Sequence, residues 1–165
     1  MFAEIFAFPN PVNEKAARTV AFVVMLLACL TLLTGWYWLL LLLAYGFLAR
    51  VLTGPTLSPL GRCASRVVAP RLGPAKPVPG PPKRFAQAMG AAITVAAAVA
   101  ALGFSAHGIA DVLLAALVLA AGLESIFAYC LGCQVFGLLI RAGVVPERVC
   151  AECADIRATR SVLKL

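Results

Sequence analysis

Charge is scarce in this chain. Only 13% of its 165 residues are Asp, Glu, Lys or Arg, against about 25% in soluble globular domains. Hydrophobic residues reach 62%, compared with roughly 45–50% in such domains. So little polar surface cannot cover the chain in water, which excludes an ordinary soluble domain and makes lipid part of its solvent. Acidic residues are rarer still, seven against fourteen basic ones, for a net charge of +7. The basic residues fall between apolar runs instead of forming one face of a polar module, a membrane-topology pattern that argues against RNA or DNA binding. The N-terminus lacks a basic stretch ahead of a short apolar core and lacks an A-x-A-like site, so it does not read as a cleaved signal peptide. With one His in the chain, a tetrahedral metal site would be built from thiolates.

What is present is a series of apolar runs. MFAEIFAFPNPVNEK precedes the first. Phe2, Ile5, Phe6 and Phe8 suit an interfacial helix over residues 1–8, and Asn13 followed by Glu14 suits a helix N-terminus. Residues 16–34 are apolar except for Arg18, which can snorkel from the end. Nineteen helical residues span about 28 Å, enough for the hydrocarbon core. Gly35 and the cluster Trp36, Tyr37 and Trp38 mark an interface, and residues 36–52 return across. The third span is expected at 86–104, where the alanines and Gly90 permit close backbone approach. The fourth is expected at 109–131, which places Cys130 at its end and Glu124 inside the membrane. His107 and Asp111, four residues apart at the turn between these spans, form a conceivable pH-sensitive pair. The fold class expected is all-α, an integral-membrane four-helix bundle made of two helical hairpins.

Residues 53–85 differ in character, with Arg62, Arg66, Arg71, Lys76, Lys83 and Arg84 and no acid. The positive-inside rule places this loop in the cytoplasm, and an even number of spans then puts both termini there, in the plasma membrane. The stretch from Pro70 to Pro82 reads as an extended, polyproline-like connector, and Ser65 to Val68 as a solvated loop or a short surface helix. Residues 132–165 form a cytoplasmic tail, with Arg141 and Gly143 as a helix-stop signal. Apart from the two hairpins there is no internal repeat.

The chemistry-bearing feature is a set of four cysteines, Cys130 and Cys133 in CLGC and Cys150 and Cys153 in CAEC, in the spacing C-x2-C-x16-C-x2-C. Structural disulfides are uncommon in the cytoplasm, which leaves three readings. In a redox reading the pairs exchange disulfides, or one cysteine carries a persulfide. The tail pair, flanked by Arg148 and Arg157, is the better first nucleophile, because Cys130 and Cys133 fall near a helix C-terminus whose dipole opposes thiolate. In a metal reading the four thiolates hold Zn or an iron–sulfur centre and pin the tail to the bundle. In a third, the chain is a transport or assembly subunit in which Glu124 serves a small solute and the cysteines are incidental. Glu124 lies six residues before Cys130, at about 120° around a helix, and is not an obvious base for it unless the helix kinks at Gly132. Cys29 reads as a packing residue and Cys63 as a lone thiol outside the site.

FPNPVNEKAAR before the first span, YGFLARVLTGPTLSPLGR after the second, and the CLGC and CAEC pairs resemble an uncharacterised family of small bacterial, mainly actinobacterial, integral-membrane proteins defined as a domain of unknown function. The resemblance implies an association with thioredoxin-like and rhodanese-like sulfurtransferase partners. It therefore favours thiol redox or sulfur relay over a purely structural metal site, and it supplies no catalytic residues. A thin bundle of two hairpins also suggests self-association or a larger membrane complex.

Overall fold

The structure is a computed structural model that describes residues 10–144. The expected interfacial helix at 1–8 and the tail pair Cys150 and Cys153 lie outside the described residues. The chain runs β1 (Val12–Asn13), α1 (Glu14–Thr34), α2 (Leu39–Thr53), α3 (Pro59–Cys63), α4 (Ala69–Arg71), β2 (Pro77–Val78), α5 (Gly80–Ala98), α6 (His107–Phe127) and α7 (Leu131–Arg141). Two segments of wider, five-residue turns complete it: Ala64–Val68 joins α3 to α4, and Val99–Gly103 prolongs α5.

Among the described residues three helices are long and apolar enough to cross a membrane: α1, α5 with its extension, and α6. The second expected span is a 15-residue apolar helix, about 22 Å long and short of a full crossing. It starts late because Leu39 and Leu40 bond back to the Trp36 and Tyr37 carbonyls in tight three-residue turns before the helix settles. The outward faces carry large apolar side chains such as Leu33, Phe104, Val112, Leu119 and Phe127. In water they would form an aggregating patch, and in a bilayer they are solvated. The core between the helices is made of Val20, Val24, Leu40, Leu43, Phe47, Leu114, Leu117 and many alanines.

Helix α1 packs mainly against α6, α2 against α5, and α5 also against α6 and α7. Small residues set these distances. A Cβ at Gly90 would lie 2.3 Å from the Phe47 ring, and one at Gly132 would lie 2.6 Å from the Ala86 Cα. The close approach expected at Gly90 is therefore the α2–α5 contact, and Gly132 does the same for α7 on α5.

The connector is more ordered than its composition suggests. Helix α5 begins at Gly80, six residues earlier than expected, because Pro81 and Pro82 occupy its first turn, where a missing N–H costs nothing. Residues 59–71 are largely helical, and Ala64, Ala69 and Ser58 are fully covered. The solvated-loop reading is corrected here: the basic side chains lie on one side of a packed element whose other side is small residues. Strands β1 and β2 pair antiparallel, Val12 with Val78, and the Glu14 amide donates to the Lys76 carbonyl. Lys76 also forms an ion pair with Glu14 at 2.8 Å, and Arg84 donates to the Val51 carbonyl. These bonds gather the start of α1, the end of α2, the connector and the start of α5 at one end of the molecule.

Candidate functional site

The same end holds the first cysteine pair. The helix expected to run through Cys130 stops at Phe127, because Ala128 turns left-handed (φ 57°) and closes the helix with its amide on the Leu123 carbonyl. Arg18 donates three hydrogen bonds, 3.0–3.1 Å, to the Ser125 and Ile126 carbonyls. Arg18 thus caps the end of α6 in addition to marking the end of α1, and its positive charge suits the negative pole of the helix.

After this break Cys130 takes an extended conformation as the N-cap of α7, and Cys133 falls in the first turn of that helix. This corrects the expectation that the pair sits at a helix C-terminus: the dipole at this position favours thiolate. The Cys133 thiol donates to the Cys130 sulfur, and the Cys133 amide also faces it. That thiol contact lowers the Cys130 pKa against the opposing effects of burial and Glu124, with the Lys83 ammonium adding to the lowering. Cys133 is pushed well above the ordinary thiol range by the same hydrogen bond, by burial and by the charge of its neighbour. The two sulfurs are therefore unlike, Cys130 the more readily ionised and Cys133 the one that holds its proton more tightly.

Lys83 was expected in the loop. It lies instead in the first turn of α5 with only 7% of its surface exposed, and its ammonium donates to Glu124 Oε1. Glu124, expected as an intramembrane acid, lies in α6 and has this ammonium as its partner. The break at 128, not a kink at Gly132, brings Cys130 back beside Glu124, so both line one apolar cavity of about 240 Å³ between α1, α5 and α6. A second cavity, about 690 Å³, is lined by both sulfur-bearing residues, Cys130 and Cys133, together with Lys83, Tyr129, Gln134 and Phe136 among others. Cys130 is 7% exposed and Cys133 more so, and both line this larger cavity.

The structure brings Cys130, Cys133 and Glu124 together. Cys63 is exposed on α3 and Cys29 half-buried in α1, and neither lines these cavities. Among the described residues no group of three or more His, Cys, Asp or Glu side chains is disposed to hold a metal ion. The residues missed from sequence are Lys83 and Arg18. A Pro-Pro pair followed four residues on by an apolar helix was the available signal for Lys83.

At the opposite end His107 and Asp111 do not pair directly. Tyr37 stacks on His107, ring centres 4.6 Å apart, and donates to Asp111 Oδ1 at 2.9 Å. This bond raises the Tyr37 pKa, so the hydroxyl stays protonated and the cluster ties the α1–α2 turn to the start of α6.

No curated protein and no solved structure matches the chain. Residues 12–141, which take in CLGC and stop short of Cys150, match the family model described as a domain of unknown function (DUF4395), and the chain belongs to that family.

Proposed function

We propose that the chain is a membrane thiol protein that exchanges disulfides, or passes sulfur, between Cys130 and Cys133 and a soluble thioredoxin-like or sulfurtransferase partner. The observation that carries this reading is the inequality of the two sulfurs at the start of α7, with Lys83 beside Cys130. A nucleophile needs its thiolate, and a resolving thiol has to hold its proton until the first step is complete. The Cys130 thiolate attacks one sulfur of a partner disulfide and releases the other as a thiolate. Cys133 then gives up its proton to that leaving sulfur and attacks Cys130, which frees the partner as a dithiol. Two electrons pass from the pair to the partner, and no other oxidant enters. In the sulfur-relay form, Cys130 takes the terminal sulfur of a partner persulfide and the partner leaves as a thiolate.

In this reading α2 is the fourth crossing of a four-helix bundle, its short length extended by the Trp36 and Trp38 interface. The end bearing Arg62, Arg66 and Arg71 faces the cytoplasm of the plasma membrane, with both termini on that side. Cys150 and Cys153 receive the disulfide or sulfur as the second pair of the relay. The competing role for the four cysteines is a Zn or iron–sulfur centre.

One preparation separates these roles. Full-length protein is equilibrated in glutathione buffers of graded potential, its free thiols are tagged and located by mass spectrometry, and its metal content is measured. The proposal predicts that Cys130 and Cys133 lose and regain their tags together, with no stoichiometric metal. About one metal per chain, with all four thiols protected until a chelator is added, overturns it.

A further inference from the structure

Arg50 is 6% exposed near the end of α2, and its charge is not matched. Its Nε donates to Gln87 Oε1 at 2.8 Å, its Nη1 makes a long 3.4 Å contact with Ser58 Oγ, and its guanidinium carbon lies 4.7 Å from the Phe47 ring centre. Nη2 is buried with no hydrogen-bond partner among the described residues. No described carboxylate lies within ion-pair distance of Arg50; Glu124, whose charge acts on it, is already bonded to Lys83. Two buried cations thus share one carboxylate. A buried guanidinium with free N–H bonds is costly, by several kcal/mol in general, and its neutral partners Gln87 and Ser58 do not cancel its charge.

Next to it is a cavity of about 250 Å³, distinct from the two that reach the cysteines. Its lining brings the Arg50 and Lys83 side chains together with three further polar residues, Asn13, Ser65 and Gln87. The walls are otherwise apolar, formed by Ala16, Ala17, Val20 and Pro55 among others. We propose that this cavity binds a small oxyanion, a sulfate, sulfonate or phosphate group, held by Arg50 and Lys83. The planar guanidinium fork suits a group with several oxygens better than a halide. An oxyanion in this cavity would offer the free Nη2 hydrogens an acceptor. The group has two possible sources, a free anion from the aqueous side or the phosphate of an anionic lipid at the membrane face, and both present the same chemistry to the two cations.

The test uses full-length protein in neutral detergent and follows its thermal unfolding. One arm titrates sodium sulfate against sodium chloride at matched ionic strength; the other adds phosphatidylglycerol against phosphatidylcholine in mixed micelles. The expected result is a saturable rise in midpoint of roughly 3 °C or more in at least one arm, and the arm that responds identifies the source. The rise is expected to persist in Cys130→Ala, so that failure of the thiol reading leaves it untouched. It is expected to vanish in Arg50→Gln and in Ala17→Leu, which fills the cavity from α1 and leaves both cations in place. If Arg50→Gln does not fold, Ala17→Leu carries the comparison. Absence of a saturable rise in both arms for the unaltered protein, or an equal rise in Ala17→Leu, overturns the proposal.

Discussion

The two cysteines of CLGC share a motif and an environment, and differ in which one receives the hydrogen bond. Cys130 accepts from Cys133 and faces Lys83, so its sulfur is the better anion; Cys133 donates, so it keeps its proton. Loss of the ammonium in Lys83→Met removes one of the influences that lower the Cys130 pKa. Alkylation of Cys130 at pH 7 is then expected to slow roughly 3- to 10-fold, and its rate–pH curve to move to higher pH. An unchanged curve would mean that the ammonium does not act on the sulfur. Glu124 was readable from sequence, since an acid in an apolar run stands out. Lys83 was not, because a basic residue beside prolines looks like loop, and only its place in the first turn of α5 turns it inward.

At the scale of elements, the site exists because a helix ends where its sequence has no stop signal. Asn13 caps α1 through its side chain, and Gly143 adopts φ 74° after α7; both have the residue types that such positions favour, and both were legible. Ala128 favours helix yet sits at φ 57°. The break is imposed by packing: Arg18 holds the last carbonyls of α6, and Gly132 seats α7 against Ala86. An alanine in the left-handed region carries a strain of about 1–2 kcal/mol, which glycine does not. Ala128→Gly is therefore expected to stabilise the protein by about 1 kcal/mol, less the extra chain entropy of glycine, as read from its unfolding midpoint in detergent. A loss of stability would show that the strain is not there. The same event decided which role the sequence could assign to CLGC. A continuous helix puts the cysteines at its negative end, and a broken one puts them at the positive end of the next.

Taken whole, the molecule separates its chemistry by end. Tyr37, His107 and Asp111 close one turn, and Cys130, Cys133, both buried cations, Glu124 and the basic connector occupy the other. The apolar helices long enough to cross a membrane were legible from composition and run length, whereas the packing of the connector depends on small residues such as Ala64 and Ala69 that carry no signal of their own. On the proposed orientation, exposed Cys63 on α3 reacts with a membrane-impermeant maleimide in inverted vesicles and not in intact cells. The opposite labelling pattern would invert the topology.

The central claim is that Cys130 is the nucleophile and Cys133 the resolving thiol. It is tested most directly by trapping: reduced full-length protein carrying Cys133→Ser is mixed with an oxidised thioredoxin-like partner, quenched in acid and mapped by mass spectrometry. The account predicts a mixed disulfide on Cys130 that accumulates in Cys133→Ser, and no adduct on Cys133 when Cys130 is replaced by Ser. An adduct confined to Cys133, or the same yield with both residues replaced, would contradict it.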